Sequence, residues 1–397
     1  MRRVEEDTGF REKLQYICQQ FGIPGEVILY RWIPKGHINR AYYTAVFDGE
    51  EVEQYLVQQV NTYVFRNPVG MMRNIKLITG HIEEKVQTTE RRRRLHSYRT
   101  PEGRNYVVLK DGAAIEPDGV SFDEDGVEFW RIYNYIESSV SFESAEGDTE
   151  VLKRSGKAFG TFLKQLQDFD ASRLTESIPH FHDTRYRLKT FFEAAEQDAF
   201  GRAAGCEKEI EIIRQYRDFG ETLCRALDRG ELPLRVTHND TKTNNILFDK
   251  ATLEPLVVID LDTCMPGLAC YDYGDTIRFA ACTAAEDTAG GMRLDQNLLR
   301  AYTEGYLGEV NDVLTDAEIE SLATGAAVIT LELASRFLSD YLIGDKYFRT
   351  EYPEHNLIRA KTQLALFLDM MKHMEDMKRI IREVAETEKE KVKIYII

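Results

Sequence analysis

The sequence lacks the cysteine and histidine patterns that hold structural metal ions. Its six cysteines are scattered and include no Cys-x-x-Cys pair, and no two histidines stand at zinc-site spacing. A chain of 397 residues can bury enough apolar surface to fold without disulfides or a structural metal. The thiols are therefore expected to be reduced and mostly buried.

Positive charge is scarce as well, with 51 Lys and Arg against 67 Asp and Glu and a net charge of −16. Such a surface repels nucleic acids and anionic membranes, so neither is expected as a partner. Four consecutive arginines at residues 91–94 oppose this trend. Because the run is short and has no interleaved aromatics, a solvated strand or loop is favoured over a nucleic-acid or partner patch.

Long hydrophobic runs and targeting signals are missing too. The first residues are charged and no apolar segment follows them, so no signal peptide is expected. The most apolar late stretch, residues 325–331, ends at Glu332 and is too short to span a bilayer. The sequence therefore predicts a cytoplasmic location.

The chain changes character near residue 138, which predicts an α+β protein with two lobes. Before that point, runs rich in β-branched and aromatic residues predict strands, and a helical pattern over residues 69–85 begins after Pro68. The predicted strands are residues 27–33, 42–47, 55–60, 106–109 and 129–136. We therefore predict a β-rich N-terminal lobe over residues 1–137.

The remainder, residues 138–397, is predicted to form a larger α-rich lobe. Apolar stripes at helical spacing run over residues 152–166 and 210–219, and two long helices are expected over residues 318–342 and 358–386. A short strand-rich segment, residues 235–262, interrupts the helices. The polar residues of this segment make it the candidate for the active site.

Residues 238–245, His-Asn-Asp-Thr-Lys-Thr-Asn-Asn, form a polar loop between apolar strands. Asp240 in this loop can accept the proton of an attacking hydroxyl and direct its oxygen at phosphorus. Lys242 can neutralise charge on the transferred phosphoryl group. Asn245 can reach a magnesium ion with its amide oxygen.

A buried Val-Val-Ile run delivers Asp260 to the end of a strand, where its carboxylate can hold Mg²⁺ against the phosphates of ATP. Asp262 is a second metal-ligand candidate, which either takes another ion or orients the acceptor. The sequence leaves open which of the two binds metal directly. An Asx-rich turn with solvated carboxylates is the alternative interpretation, but the four elements in this order favour phosphoryl transfer.

The spacing His238-x-Asp240-x-x-x-x-Asn245 is that of the protein-kinase catalytic loop. At these residues the sequence resembles the aminoglycoside phosphotransferase and choline kinase superfamily, and more narrowly the N-acetylhexosamine 1-kinases. The stretches that carry the narrower resemblance are residues 36–42, 58–68, 178–184, 259–267, 271–275 and 336–348. The resemblance implies a protein-kinase-like two-lobed fold, ATP and Mg²⁺ as cofactors, and a sugar as acceptor.

The resemblance also assigns residues to the two substrate sites. In the N-terminal lobe it implies a nucleotide site formed by Gly36, Asn39, Gln59 and Tyr135. Gly36 is expected to lie in a turn that covers the phosphates. In the C-terminal lobe it implies that Arg336 and Tyr347 help to hold the sugar, whereas His180 and His182 are expected to be packing or capping residues.

Two departures from the kinase pattern leave alternatives open. The turn holds one glycine where protein kinases have three, and the third strand has Gln58 and Gln59 where a phosphate-binding lysine is usual. Lys35 or Arg40 can compensate as nearby cations. One alternative is a non-catalytic nucleotide-binding protein. Another is a kinase for an aminoglycoside, choline or homoserine, and a cationic acceptor would call for an acidic pocket.

Overall fold

The computed structural model describes residues 8–34, 38–86, 90–143, 147–283 and 291–395. Within these ranges the chain forms two compact units that divide between Ser138 and Ser139. The first unit also includes the short segments Leu174–Ile178 and Leu261–Cys264, which the sequence placed in the C-terminal lobe. The first unit is built on an antiparallel sheet and the second is mainly helical, so the predicted α+β class is confirmed.

A six-stranded antiparallel sheet forms the centre of the first unit. Its strands are β1 (Glu26–Ile33), β2 (Arg40–Phe47), β3 (Val52–Val60), β4 (Val107–Lys110), β5 (Ala113–Ile115) and β6 (Val127–Asn134). Across the sheet their order is β1-β2-β3-β6-β4-β5. Its described residues also form the helices α1 (Thr8–Gln20) and α2 (Pro68–Lys85). The five predicted strands and α2 are confirmed, whereas the three-residue β5 is too short to give a periodic pattern.

The sheet and α1 share one buried apolar cluster. Leu14 and Ile17 of the helix are fully buried in it, together with Val57 of β3 and with Trp130 and Ile132 of β6. Because side chains alternate along a strand, Trp130 and Ile132 lie on the same face. Burial of these large side chains is the main stabilising contribution to this unit.

The first unit also buries an ion pair. Arg131 on β6 is 1% exposed, and its guanidinium donates two hydrogen bonds to the carboxylate of Asp262. Its Nε donates to Oε1 of Gln58 on β3 at 2.9 Å, and Asn39 Nδ2 donates to Oδ2 of Asp262 at 2.7 Å. This network explains why Leu261–Cys264 belongs to the first unit.

The arginine run is paired with acidic side chains. It forms a turn of 3-10 helix over Arg91–Arg93, in which Arg91 lies 2.9 Å from Glu53. Arg92 and Arg93 both contact Glu90, at 2.9 and 2.7 Å. Such ion pairs fit a solvated loop better than a patch kept open for phosphates.

The second unit consists of helices around two small antiparallel sheets. Its strands are β7 (Ser139–Val140), β8 (Arg235–Thr237), β9 (Ile246–Asp249), β10 (Pro255–Val258) and β11 (Met265–Gly267). One sheet has the order β10-β9-β7, and the other pairs β11 with β8. Its helices are α3 (Thr149–Gln165), α4 (Thr184–Gln197), α5 (Glu207–Gln215), α6 (Arg217–Gly220), α7 (Thr222–Asp228), α8 (Ala269–Ala280), α9 (Gln296–Val310), α10 (Asp316–Leu342), α11 (His355–Lys372) and α12 (Met374–Tyr395).

Two predicted helices are each divided in the structure. The prediction over residues 358–386 was wrong in its continuity, because α11 ends at Lys372 and α12 begins at Met374. Residues 210–219 are likewise split between α5 and α6 at Tyr216. Helices α11 and α12 both bury apolar faces, so the periodic pattern continues across the break at His373.

Helices α8 and α10 approach each other at glycines. A Cβ at Gly274 of α8 would lie 2.7 Å from the Cα of Ala326, and one at Gly325 of α10 would lie 2.3 Å from the carbonyl oxygen of Cys270. Neither backbone atom can move away cheaply, so these positions require glycine. The two helices therefore form one tightly packed pair.

Among the described residues, α10 is the one helix long and apolar enough to cross a membrane by length and composition alone. Its most apolar window is 83% buried within the protein. Burial against its neighbours therefore accounts for the apolar composition of this helix.

The variant Arg131→Met should destabilise the first unit by about 3–5 kcal/mol, because it leaves the buried Asp262 carboxylate without its counter-charge. Both tryptophans, Trp32 and Trp130, lie in this unit. Tryptophan fluorescence during equilibrium unfolding in urea therefore measures the loss.

Two further variants sharpen this test. Arg131→Met combined with Asp262→Leu should recover much of the stability, because no buried charge remains. Arg91→Met, which removes an exposed pair, should change the free energy of unfolding by less than about 1 kcal/mol. Equal urea midpoints for Arg131→Met and wild type would contradict the stabilising role of the pair.

Candidate active site

The catalytic loop, residues 238–245 between β8 and β9, is bound through its backbone to α8. The N–H groups of His238 and Asn239 donate to the two carboxylate oxygens of Asp272, each at 2.7 Å. Burial raises the pKa of Asp272 to about 6, although His238 and the two amides oppose this shift. Asn239 has a left-handed backbone with φ 63°, which asparagine adopts more readily than most residues.

A second carboxylate of α8 binds the middle of the loop. The N–H of Thr241 donates to Oδ2 of Asp275 at 3.0 Å, and the carbonyl of Thr241 accepts from the hydroxyl of Thr276 at 2.6 Å. Arg278 donates to the other oxygen of Asp275 at 2.7 Å. The backbone on both sides of Asp240 is therefore held by one helix.

Asp240 has two donors directed at its carboxylate. Lys242 Nζ lies 3.0 Å from Oδ1, and Asn245 Nδ2 donates to Oδ2 at 3.1 Å. Burial opposes ionisation, but Lys242, His238 and Asn245 outweigh it and hold the pKa of Asp240 below its usual range. Asp240 is thus an ionised carboxylate at neutral pH and remains 29% exposed, so an acceptor hydroxyl can reach it.

Asn245 and Asp260, the predicted magnesium ligands, lie on adjacent segments of the chain. The amide nitrogen of Asn245 also donates to the carbonyl of Asp240 at 2.8 Å, and its amide oxygen has no hydrogen bond to the described residues. The N–H of Ile259 donates to the carbonyl of Asn245 at 2.9 Å, which brings the end of β10 to the loop. Asp260 follows as an exposed residue with φ 62°. One amide oxygen and one carboxylate on adjacent segments suit Mg²⁺, which takes few protein ligands.

His238 strengthens the connection between the loop and β10. Its Nε2 lies 2.9 Å from the carbonyl oxygen of Ile259. The ring is buried, and the rings of Phe159 and Phe162 of α3 meet it edge-on at centroid distances of 5.7 and 5.9 Å. His238 therefore helps to fix the backbone next to Asp260.

Asp262 has a different environment from the one predicted. Both of its carboxylate oxygens accept hydrogen bonds from Arg131, and Asn39 donates to one of them. Asn39, predicted at the nucleotide site, is engaged at both ends, since its Oδ1 accepts from the N–H of Asn61 at 3.0 Å. These contacts give Asp262 a buried ion-pair partner, and its role as a metal ligand stays a prediction.

The other predicted nucleotide residues lie on or beside the sheet of the first unit. Gln59 on β3 is directly opposite Arg40 on β2. Tyr135 follows β6, and its ring meets that of Tyr43 edge-on at 4.8 Å. Their role in nucleotide binding stays a prediction. Gly36 and Lys35 lie outside the described residues.

Arg336, predicted to hold the acceptor, lies among aromatic rings of the second unit. Its guanidinium carbon is 5.1 Å from the ring centre of Phe181, 5.9 Å from Tyr347 and 5.8 Å from Phe348. Such distances allow cation–π contacts. The side chain of Arg336 is 11% exposed, whereas Tyr347 is 60% exposed. The structure thus brings the two predicted acceptor residues together.

A second guanidinium joins this group. Arg187 of α4 donates from Nε to the carbonyl of Phe181 at 3.3 Å. Burial and the neighbouring positive charge of Arg336 lower the pKa of Arg187. We refer to the set below as the arginine–aromatic cluster. Its members are Phe181, Arg187, Arg336, Tyr347 and Phe348.

The loop that carries Tyr347 is held by Asp340 of α10. Asp340 Oδ1 accepts from the N–H groups of Lys346 and Tyr347 at 2.9 and 2.8 Å, and Oδ2 accepts from the N–H of Phe348 at 2.9 Å. Asp340 is itself buried. The spacing between Arg336, Asp340 and Tyr347 therefore reflects one helix and the loop folded back onto it.

Comparison with known proteins identifies the family. A model of the phosphotransferase enzyme family (APH) matches residues 44–310, more than half of the chain and including Asp240, Asn245 and Asp260. The chain belongs to this family. It is therefore a small-molecule phosphotransferase, and the candidate base, metal ligands and cation at the catalytic loop suit that chemistry.

Solved structures support the same fold. An aminopropanol kinase associated with a microcompartment is 16% identical, with 91% of this chain and 98% of that chain covered and a TM-score of 0.57. A Plasmodium vivax ethanolamine kinase is 14% identical over 90% and 89% of the two chains, with a TM-score of 0.54. A choline kinase from Cryptosporidium parvum Iowa II is 12% identical over 90% and 93%, with a TM-score of 0.51. The likeness confirms the protein-kinase-like fold class.

Three buried charged residues hold parts of this APH family member together, and the sequence alone did not predict a role for them. They are Arg131, Asp272 and Asp275. Each interrupts an otherwise apolar or aromatic stretch, and a buried charge usually has a partner. A charge within an apolar stretch can therefore be recognised in the sequence, but its partner cannot be identified when that partner lies far away along the chain.

The variant Lys242→Met should move the acidic limb of kcat/KM to higher pH. The Lys242 charge lowers the pKa of Asp240, so the carboxylate stays ionised to lower pH in wild type. Without this charge it is protonated, and lost as a base, at a higher pH. A pH–rate profile measures the shift. Lys242→Arg keeps the charge and should leave the limb in place, whereas equal limbs in Lys242→Met and wild type would contradict the tuning role.

Proposed function

We propose that this phosphotransferase moves the γ-phosphate of ATP onto the anomeric hydroxyl of an N-acetylhexosamine. The products are the sugar 1-phosphate and ADP. Family membership supports phosphoryl transfer, and the sequence resemblance supports the sugar. The observation that carries the choice of acceptor is the arginine–aromatic cluster next to the catalytic loop.

The catalytic loop supports a direct transfer. Asp240 orients the acceptor hydroxyl and takes its proton as the anomeric oxygen bonds to the γ-phosphorus, while the bond from that phosphorus to the β–γ bridging oxygen breaks. Lys242 faces the developing negative charge. Asn245 and Asp260 would hold Mg²⁺, which when bound neutralises charge on the phosphates. An anomeric hydroxyl is more acidic than an ordinary alcohol, so a carboxylate with a low pKa can serve as its base.

The charge of the cluster argues against cationic acceptors. Arg187 and Arg336 bring two positive charges, and the nearest carboxylate, Glu332, lies 3.9 Å from Arg336 but also binds His182 at 2.9 Å. An ammonium acceptor such as choline or ethanolamine would meet repulsion here. Sugar hydroxyls and an N-acetyl carbonyl can instead accept from guanidinium N–H groups.

The cluster also lies close to Asp240 within the second unit. Phe181 is followed by His182, whose Nε2 is 3.2 Å from the carbonyl oxygen of Asn239. The next residue is Asp240. The exposed ring of Tyr347 offers an apolar surface for one face of a sugar ring.

A panel of acceptors tests the proposal. ADP release is measured with N-acetylhexosamines, free hexosamines, choline and aminoglycosides, and phosphorus NMR identifies the phosphorylated carbon of the product. We expect turnover with an N-acetylhexosamine and phosphate on its anomeric carbon. Turnover confined to choline or aminoglycosides would contradict the acceptor, and nucleotide binding without any turnover would support a non-catalytic protein.

The variant Asp240→Asn should reduce kcat by about 10²–10⁴, because a positioned base is lost, while ATP still binds. Steady-state kinetics and calorimetric titration with ATP measure the two effects. Asp228→Asn, at an exposed aspartate paired with Arg185, is a control that should leave kcat unchanged. A kcat near wild type in Asp240→Asn would reject this mechanism.

The variant Arg336→Lys should raise the KM of the acceptor and lower kcat, because a lysine cannot reproduce the planar set of donors and misplaces the hydroxyl. The KM of ATP should change little. Arg217→Lys is a matched control, since Arg217 packs over Phe192 outside the cluster. Loss of thermal stability with unchanged kinetics would instead identify Arg336 as a packing residue.

A further inference from the structure

His182 connects two hydrogen-bond acceptors inside the second unit. Its Nδ1 lies 2.9 Å from Oε1 of Glu332, and its Nε2 lies 3.2 Å from the carbonyl oxygen of Asn239. The sequence predicted a packing or capping role for this histidine. Because Asn239 immediately precedes Asp240, the contact reaches the catalytic loop one residue before the base.

The partner of Nε2 cannot donate a hydrogen bond, because a backbone carbonyl carries no proton. Nε2 of His182 is therefore the donor of this bond. Burial opposes the ionisation of Glu332, but His182, Arg336 and Thr184 outweigh it and hold the pKa of Glu332 below its usual range.

The environment of this pair excludes most of the solvent. The side chain of His182 is 12% exposed, and that of Glu332 is 0% exposed. The hydroxyl of Thr184 donates to the second oxygen of Glu332, so both carboxylate oxygens are engaged. A buried carboxylate is retained at low cost only when it is paired in this way.

Asn239 is consequently held on both sides. Its N–H donates to Asp272 at 2.7 Å, and its carbonyl accepts from His182 at 3.2 Å. Its φ of 63° is a conformation that a residue other than glycine keeps when its surroundings enforce it. These two bonds determine the direction in which the chain enters Asp240.

We propose that His182, held in place by Glu332, is a positioning residue for phosphoryl transfer. It holds the carbonyl of Asn239 and thereby directs the Asp240 carboxylate at the acceptor hydroxyl. The role rests on the proposed phosphoryl transfer but not on the identity of the acceptor. Glu332 also faces Arg336 at 3.9 Å, so one buried carboxylate serves both the catalytic loop and the arginine–aromatic cluster.

The kinetic test compares two histidines that are two residues apart. His182→Gln should lower kcat by up to about 100-fold, because a small displacement of Asp240 spoils the geometry of attack, while the KM of ATP stays unchanged. His180→Gln is the matched control, since His180 is 49% exposed and contacts Asp183, and its kcat should equal that of wild type. A wild-type kcat in His182→Gln, or an effect confined to the melting temperature, overturns the proposal.

A spectroscopic test uses the wild-type protein and needs no turnover. In protein labelled with ¹⁵N-histidine, the signals of His182 are those lost in His182→Gln. A proton on Nε2, the donor to the Asn239 carbonyl, supports the proposal, and an unprotonated Nε2 overturns it. Because this readout is independent of the acceptor, it separates failure of the positioning role from failure of the proposed sugar kinase activity.

Discussion

The catalytic loop depends on hydrogen bonds from its own backbone to buried carboxylates. The loop lies between one strand of three residues and one of four, so few strand-to-strand hydrogen bonds hold it in place. Asp272 and Asp275 supply acceptors for the N–H groups of His238, Asn239 and Thr241. The position of the proposed base, Asp240, is thus set by a helix, which is a much stiffer element than a loop.

That helix is in turn fixed by contact between backbones. At Gly274 and Gly325 the chains of α8 and α10 approach so closely that a methyl group would not fit. Because α8 binds the catalytic loop and α10 carries Glu332 and Arg336, one rigid pair of helices supports both the base and the proposed acceptor group. The second unit therefore needs no mobile element to bring these residues together.

The local parts of this arrangement could be predicted from the sequence. Asp240, Asn245 and Asp260 lie within about 20 positions of one another on one short hairpin, so the pattern contains the geometry. The long-range pairs could not be predicted: Asp272 lies 34 positions after His238, and Asp262 lies 131 positions after Arg131. The partner of Asp262 could not be predicted for this reason, because a carboxylate after a strand looks the same whether it binds a metal or a distant arginine.

Asp340 holds the loop that carries Tyr347 through three backbone N–H groups and not through side chains. Every residue except proline offers the same N–H group, so these three hydrogen bonds do not depend on which side chains the loop displays. At the proposed acceptor site, natural variation or directed evolution can therefore exchange residues 346–348 for others and change the range of accepted alcohols. The scaffold that performs the transfer would be conserved while the acceptor diverges, which is a physical route by which one fold serves many substrates.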